Sequence, residues 1–246
     1  MIDALITTIM NRPYVFAFLA GYLFLSIRLW NLKRSLLWLF SGYVIAWFSE
    51  YLSINYGFPY GWYFYHYQNM PGELLVAGVP FFDSLSYPFL IFAGYCMSLR
   101  LQHSNVLAHT FTASPRQATL LRITTGALFT TLLDVVIDPI AHLGSKWFLG
   151  EIYYYPNPGW YFDVPLSNFA GWFLVAAIVI AVNELLWKLL KERLSFQTSK
   201  LCTLFYFSIA LFNIIITFWI GAYGLGICSS LIMGSVFLVG YKSKDN

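Results

Sequence analysis

Apolar residues run along this chain in seven long blocks, at roughly 13–32, 36–56, 79–100, 118–140, 165–187, 202–220 and 222–241, separated by shorter polar or aromatic segments. Each block approaches the ~20 residues that an α-helix needs to cross the hydrocarbon of a bilayer. The pattern predicts an all-α fold: a polytopic transmembrane helical bundle of about seven spans, one integral membrane domain over residues 1–246. The last two blocks meet at a tight Gly221-Ala222-Tyr223-Gly224 turn, so six spans with a broken final hairpin is the alternative. The N-terminus lacks the basic region, short apolar core and small-residue cleavage site of a signal peptide, and its first apolar run is read as a retained helix.

Charge supplies a direction, because inner loops concentrate Lys and Arg. With the N-terminus outside, the inner segments hold Lys33, Arg34, Arg100, Arg116, Lys188, Lys191, Arg193, Lys200, Lys242 and Lys244, ten against only Arg12 and Lys146 outside. Arg28 and Arg122 fall near inner helix ends, from which they can snorkel to the interface. The expected arrangement is N-outside and C-inside, multi-pass in the cytoplasmic membrane. Composition fits this: 59% of residues are hydrophobic and 10% charged, where a soluble domain carries roughly 25% charged. Cys96, Cys202 and Cys228 sit inside apolar blocks without a Cys-x-x-Cys pair, as packing residues do.

The acids follow another rule. The topology set by Lys and Arg brings Glu50, Asp83, Asp134, Asp138 and Asp163 to the outer ends of their helices, and Glu73 and Glu151 to the outer loops. The outer loops are also rich in aromatics, beyond the interfacial enrichment expected of Tyr and Trp; the inner segments 101–117 and 188–200 hold only Phe111 and Phe196.

Two stretches echo one another. Glu50 is followed by the aromatic loop Tyr56 to His66 and then Val79-Pro80-Phe81-Phe82-Asp83. Asp134 and Asp138 are followed by His142, Trp147 and Tyr153-Tyr154-Tyr155, then Val164-Pro165-Leu166-Ser167-Asn168. In both, an acid-bearing helix rises to the outer face, and Pro opens the returning helix, where its missing N–H is not needed. A true duplication implies two pseudo-equivalent half-sites facing one another; chance similarity of membrane hairpins is the alternative.

Ionisable groups within spans are costly and turn toward an interior cavity. Asp134 and Asp138, spaced i, i+4, share one helix face. Glu50 shares a stripe with Tyr43, Trp47 and Ile54, Asp83 with Tyr87, and Asn168 with Trp172. Each helix thus offers a polar group beside an aromatic one, the makings of an apolar pocket with a few polar anchors. Two carboxylates one turn apart at membrane depth cannot both stay ionised cheaply, and a neutral acid beside an ionised one suits general acid–base work. Glu73, Glu151 and Asp163 read as interfacial residues, and Glu184, one turn before Lys188, as structural. His66 and His142 outside, and His103 and His109 inside, lack a metal-site spacing such as H-E-x-x-H. No Gly-rich phosphate loop, dinucleotide fingerprint or Schiff-base Lys in the seventh block is present.

These motifs together resemble a known family. Glu50, the Tyr-Gly-Phe-Pro-Tyr-Gly-Trp-Tyr-Phe-Tyr run, Gly78-Val79-Pro80, Asp138-Pro139, Trp147 and Val164-Pro165-x-x-Asn168-Phe169-x-Gly171-Trp172 are similar to the membrane-bound carotenoid hydratases, over residues 40–175. That family includes carotenoid 1,2-hydratases and bisanhydrobacterioruberin hydratase. The chain departs from the pattern at Asp163, where a glycine often stands, and at Phe148, where a second tryptophan does. The resemblance implies addition of water to the terminal C=C of an acyclic carotenoid, lycopene-like or a C50 polyene, to give a tertiary alcohol. It implies no cofactor, no metal and no nucleic acid; membrane lipid and other enzymes of carotenoid synthesis are the further partners. On this reading Asp138 or Asp134 donates the proton and Glu50 or Asp83 orients the water. Tyr60, Trp62, Trp147 and Trp172 line the end-group pocket, with Asn168 as a hydrogen-bonding anchor. Two rivals stay open: a carotenoid or lipid binder or transporter without catalysis, and a metal-dependent lipid hydrolase using His66 or His142.

Overall fold

The computed structural model describes residues 1–102, 114–190 and 200–241. Lys191, Arg193, Phe196, Lys242, Lys244, His103, His109 and Phe111 lie outside the described residues. Among those described, eight helices form: α1 (Ile2–Asn11), α2 (Pro13–Leu29), α3 (Leu32–Tyr56), α4 (Phe81–Gln102), α5 (Pro115–His142), α6 (Leu166–Leu189), α7 (Lys200–Trp219) and α8 (Tyr223–Tyr241). A helix therefore stands at each of the seven apolar blocks, and α1 is an additional element ahead of them. By length and apolarity, α5, α6 and α7 are each able to cross a membrane, while α2 and the apolar part of α8 are shorter.

Local chemistry sets the helix ends. The Asn31 side chain accepts from the Arg34 N–H at 2.9 Å and caps α3, which stops at Gly57 in the left-handed conformation (φ +74°). Ser114 caps α5 in the same way, with Pro115 in the first turn.

Helix α4 is central. Almost every side chain from Phe82 to Leu101 is buried, and it packs on α5, α3, α7 and α2. It approaches α5 closely at Gly94, where an added Cβ would collide with Thr130 and the Gly126 carbonyl. Small residues bring membrane helices together in this way.

Two polar features differ from the sequence reading. Arg122 does not reach an interface; it is buried and paired to Glu184 through Nε at 2.7 Å and Nη2 at 2.8 Å. Glu184 is structural as expected, but its partner is this arginine on α5 and the Tyr95 hydroxyl, not Lys188. Glu73 is likewise buried, and bonded to Arg12 at 2.9 and 3.1 Å. A charge buried at such depth needs a partner, and the fold supplies one from a distant segment.

The segments joining α3 to α4 and α5 to α6 carry short strands β1 (Phe64–Tyr65), β2 (Leu75–Val76), β3 (Val79–Pro80) and β4 (Tyr153–Tyr154). Strand β1 pairs antiparallel with β4, Phe64 opposite Tyr154 and Tyr65 opposite Tyr153, so the two aromatic loops are joined over the bundle end.

Candidate active site

The four expected acids converge. Glu50 comes from the last turns of α3, Asp83 from the first turn of α4, and Asp134 and Asp138 from the end of α5; Asn168 comes from the first turn of α6. Glu50, Asp134, Asp138 and Asn168 are all buried.

Alternation in the loops supplies the donors. In the extended runs Tyr63-Phe64-Tyr65 and Tyr153-Tyr154-Tyr155, successive side chains point to opposite sides. Tyr63, Tyr65, Tyr153 and Tyr155 are therefore buried, while Phe64 and Tyr154 are exposed. The Tyr65 hydroxyl donates to Asp83 at 2.8 Å and lies 3.3 Å from Glu50, to which Ser84 also donates. The Tyr153 hydroxyl donates to Asp138 Oδ1, and Tyr155 to Oδ2 at 2.7 Å. Asn168 Nδ2 bridges Asp134 Oδ2 at 2.9 Å and Asp138 Oδ2 at 3.1 Å. Burial, followed by the Asp138 charge, pushes the Tyr153 and Tyr155 hydroxyls well above their ordinary pKa, so both remain donors.

The polar side chains fall into two hydrogen-bonded half-sites. One half-site comprises Glu50, Asp83 and Tyr65; the other comprises Asp134, Asp138, Asn168 and the Tyr153–Tyr155 pair. Asp83 and Asn168 occupy equivalent first-turn positions after Val-Pro, and four residues on stand Tyr87 and Trp172.

Two adjoining cavities meet at this cluster. The larger, about 120 Å³, is mostly apolar and runs from Tyr14, Phe18 and Phe212 to Asp83, Asp134 and Asp138. The smaller, about 50 Å³, is walled by Glu50, Tyr63, Asp83, Asp138, Tyr155 and Asn168 among others. Asp83, Asp138, Tyr153 and Trp172 border both.

The expected aromatic lining is placed as follows. Trp172 borders both cavities, Trp147 the larger, and Tyr60 the smaller. Tyr60 is held by Ser49 at 2.9 Å, and its loop presses on α6 where Gly171 leaves room: a Cβ there would stand 2.4 Å from the Tyr60 ring. Trp62 borders neither cavity. It is half-exposed, stacked on Phe64 and packed over Gly57.

His66 stacks on Tyr154, lies 3.6 Å from Glu151 and borders neither cavity. Among the described residues no group of three His, Cys, Asp or Glu side chains is arranged to hold a metal ion. Asp163 is exposed, with φ at +67°, a conformation that glycine adopts without cost and Asp tolerates.

Fold and site together define a helical membrane protein whose buried carboxylates close the end of an apolar cavity. A family model described as carotenoid biosynthesis protein matches residues 9–240, and the chain belongs to that family. Its place is in carotenoid biosynthesis. No curated protein and no solved structure matches the chain.

Proposed function

We propose that this protein is a cofactor-independent carotenoid hydratase, adding water across the terminal C=C of an acyclic carotenoid to give a tertiary alcohol. It works as a single multi-pass domain of the cytoplasmic membrane, N-terminus outside and C-terminus inside, with the acid site at the outer face. The observation that carries this reading is the junction of an apolar and a polar cavity at shared carboxylates. Hydration of an alkene needs that junction, because a hydrocarbon end and a water molecule must meet at an acid while otherwise being kept apart. A water needs on the order of 10–15 Å³ of free space, so the smaller cavity, about 50 Å³, takes more than one.

The hydrogen bonds suggest the division of labour. Asp138 receives donors on both oxygens, from Tyr153, Tyr155 and Asn168, which suits a carboxylate that stays ionised. Among the described residues Asp134 receives only the Asn168 amide, on Oδ2, leaving Oδ1 able to carry a proton. Asp134 then protonates the CH carbon of the terminal double bond, and the positive charge settles on the dimethyl carbon. Ionised Asp138 and the face of Trp172, which borders both cavities and is backed by Tyr87, stabilise that cation, an aromatic face contributing about 0.5–2 kcal/mol. A water held by Glu50 and Asp83 forms the C–O bond, and its released proton passes to that pair. Return of the proton across the shared cavity to Asp134 closes the cycle, and the net change is one water added.

Expression in a host that accumulates lycopene tests the reading. A pigment heavier by one water, or by two if both ends react, is expected. Unchanged lycopene, with the protein confirmed in the membrane, would direct attention to another polyene and then to a non-catalytic binder.

A further inference from the structure

The wall of the larger cavity between α2 and α7 is built from aromatic rings. At Gly21 the two helices are close: a Cβ added there would stand 3.0 Å from the Phe205 ring. Two turns nearer the acids, aromatic rings pack between them. Tyr14 of α2 stacks on Phe212 of α7 with centroids 5.9 Å apart, and Phe18 meets the same ring edge-on at 5.7 Å. Beyond the Gly21 contact these three half-buried rings close the crevice, and exposed Phe148 packs on Tyr14 at 5.8 Å and on Phe212 at 6.5 Å.

Both sides of this closure are apolar. Inward, Tyr14, Phe18 and Phe212 are walls of the cavity that ends at Asp134 and Asp138. Outward, the neighbouring α7 side chains Leu211 and Ile215 are exposed. A bilayer is the surrounding that suits such an exterior. A polyene tens of ångströms long cannot be enclosed by a cavity of about 120 Å³, so only its end can enter while the rest stays among lipid chains. The closure is made by side chains, so rotamer changes of these rings would open it without displacing a helix.

We propose that the crevice between α2 and α7 is a lateral doorway from the bilayer to the acids, and that Phe212, which touches both Tyr14 and Phe18, is its specificity-determining leaf. This rests on the hydratase reading for what happens inside, but the passage itself is readable by binding alone. The ligand class is a long, apolar, rod-like polyene with a narrow, flexible acyclic end.

The test uses the full chain, purified from membranes of a lycopene-accumulating host, and measures both retained pigment per protein and hydrated product. Phe212→Trp thickens the leaf, and Leu231→Trp, on the exposed face of α8, adds the same bulk elsewhere. Phe212→Trp is expected to lower retained polyene and product by about tenfold, and Leu231→Trp to leave both near wild type. Phe212→Ala, which thins the leaf, should retain at least wild-type pigment, separating blockage from misfolding. Equal retention and product in wild type and Phe212→Trp overturns the doorway, as does a wild type that retains no polyene. If pigment retention follows Phe212 but no variant makes hydrated product, the doorway stands and the hydratase reading falls. If product forms at equal rates throughout, the reverse holds.

Discussion

Tyr87 and Trp172 lie face to face, with ring centroids 4.0 Å apart and planes within 1° of parallel. Each stands four residues beyond a polar group in an equivalent first turn, Asp83 for the one and Asn168 for the other. The stack is where the two half-sites meet, and both rings border the smaller cavity. The stack leaves each ring one outer face, and on the proposed mechanism that of Trp172, which also borders the larger cavity, stabilises the carbocation. Trp172→Phe keeps a ring but gives up part of the stack. Formation of hydrated carotenoid in membranes should slow by about 2- to 30-fold, the equivalent of ~0.5–2 kcal/mol, with protein level unchanged. An unaltered rate would remove this stack from the mechanism.

The donors around Asp138 have their own signature. The Tyr153 and Tyr155 hydroxyls are pushed well above the ordinary value of 10, first by burial and then by the Asp138 charge. A group whose pKa is raised by folding contributes stability that is fully present below the unfolded value and lost as pH rises toward the folded one. Thermal unfolding of the detergent-solubilised protein should therefore be independent of these groups up to pH ~10 and weaken beyond it. The double variant Tyr153→Phe, Tyr155→Phe should be less stable at neutral pH yet lose less on going from pH 9 to 11. A parallel fall in both proteins would mean that other groups govern the alkaline limb.

The acids were legible in the sequence for a simple reason: Glu50, Asp83, Asp134 and Asp138 interrupt long apolar blocks, where an ionisable group is conspicuous. Their tyrosine donors were not. Interfacial tyrosines abound in any membrane protein, and only the period-two spacing of Tyr63 with Tyr65, and of Tyr153 with Tyr155, hinted that two short strands turn these hydroxyls inward. Trp62 shows the same difficulty from the other side. It lies two residues from Tyr60, but Gly61 between them adopts φ +88°, and the chain turns so that Tyr60 is buried and Trp62 half-exposed. The buried pairs Arg12–Glu73 and Arg122–Glu184 link residues 61 and 62 positions apart, beyond any helical spacing rule. The apolar blocks predicted where helices stand, but α1 escaped because its ten residues are too short to read as a span.

Arg12 ties that helix down. It sits between α1 and α2, is bonded to Glu73 and to the Leu149 carbonyl, and lies over the Phe82 ring at 4.6 Å. It thereby joins the N-terminal corner to both aromatic loops. Glu73→Ala leaves a buried guanidinium without its counter-ion, and a loss of about 3–5 kcal/mol is expected. Pairing it with Arg12→Leu should recover much of that loss, because the unpaired charge is gone. The melting temperatures of the two single variants and the double variant, compared in one detergent, decide this; an additive double variant would show that the two side chains act independently.

The sharpest separation of roles comes from comparing Asp134→Asn with Glu50→Gln in the same lycopene-accumulating host. On the proposed mechanism, removing the proton donor prevents the cation from forming, so Asp134→Asn should return unchanged substrate, with product reduced by about 10²–10⁴-fold. Removing a group that holds the water leaves protonation intact. The tertiary cation then has no nucleophile in place, and it can discharge only by losing a proton from a neighbouring carbon. Loss of the proton just added restores substrate; loss from the other side, a methyl group, shifts the double bond. Glu50→Gln should therefore yield less alcohol together with an isomer of unchanged mass and altered chromatographic mobility. In deuterated medium that isomer should carry one deuterium, which unreacted substrate lacks unless protonation reverses. If both variants return only unlabelled substrate, Glu50 is needed before the cation forms, and the assignment of water to the Glu50–Asp83 half-site fails. The reverse pattern, with isomer from Asp134→Asn and none from Glu50→Gln, would exchange the two half-sites and place the acid on α3.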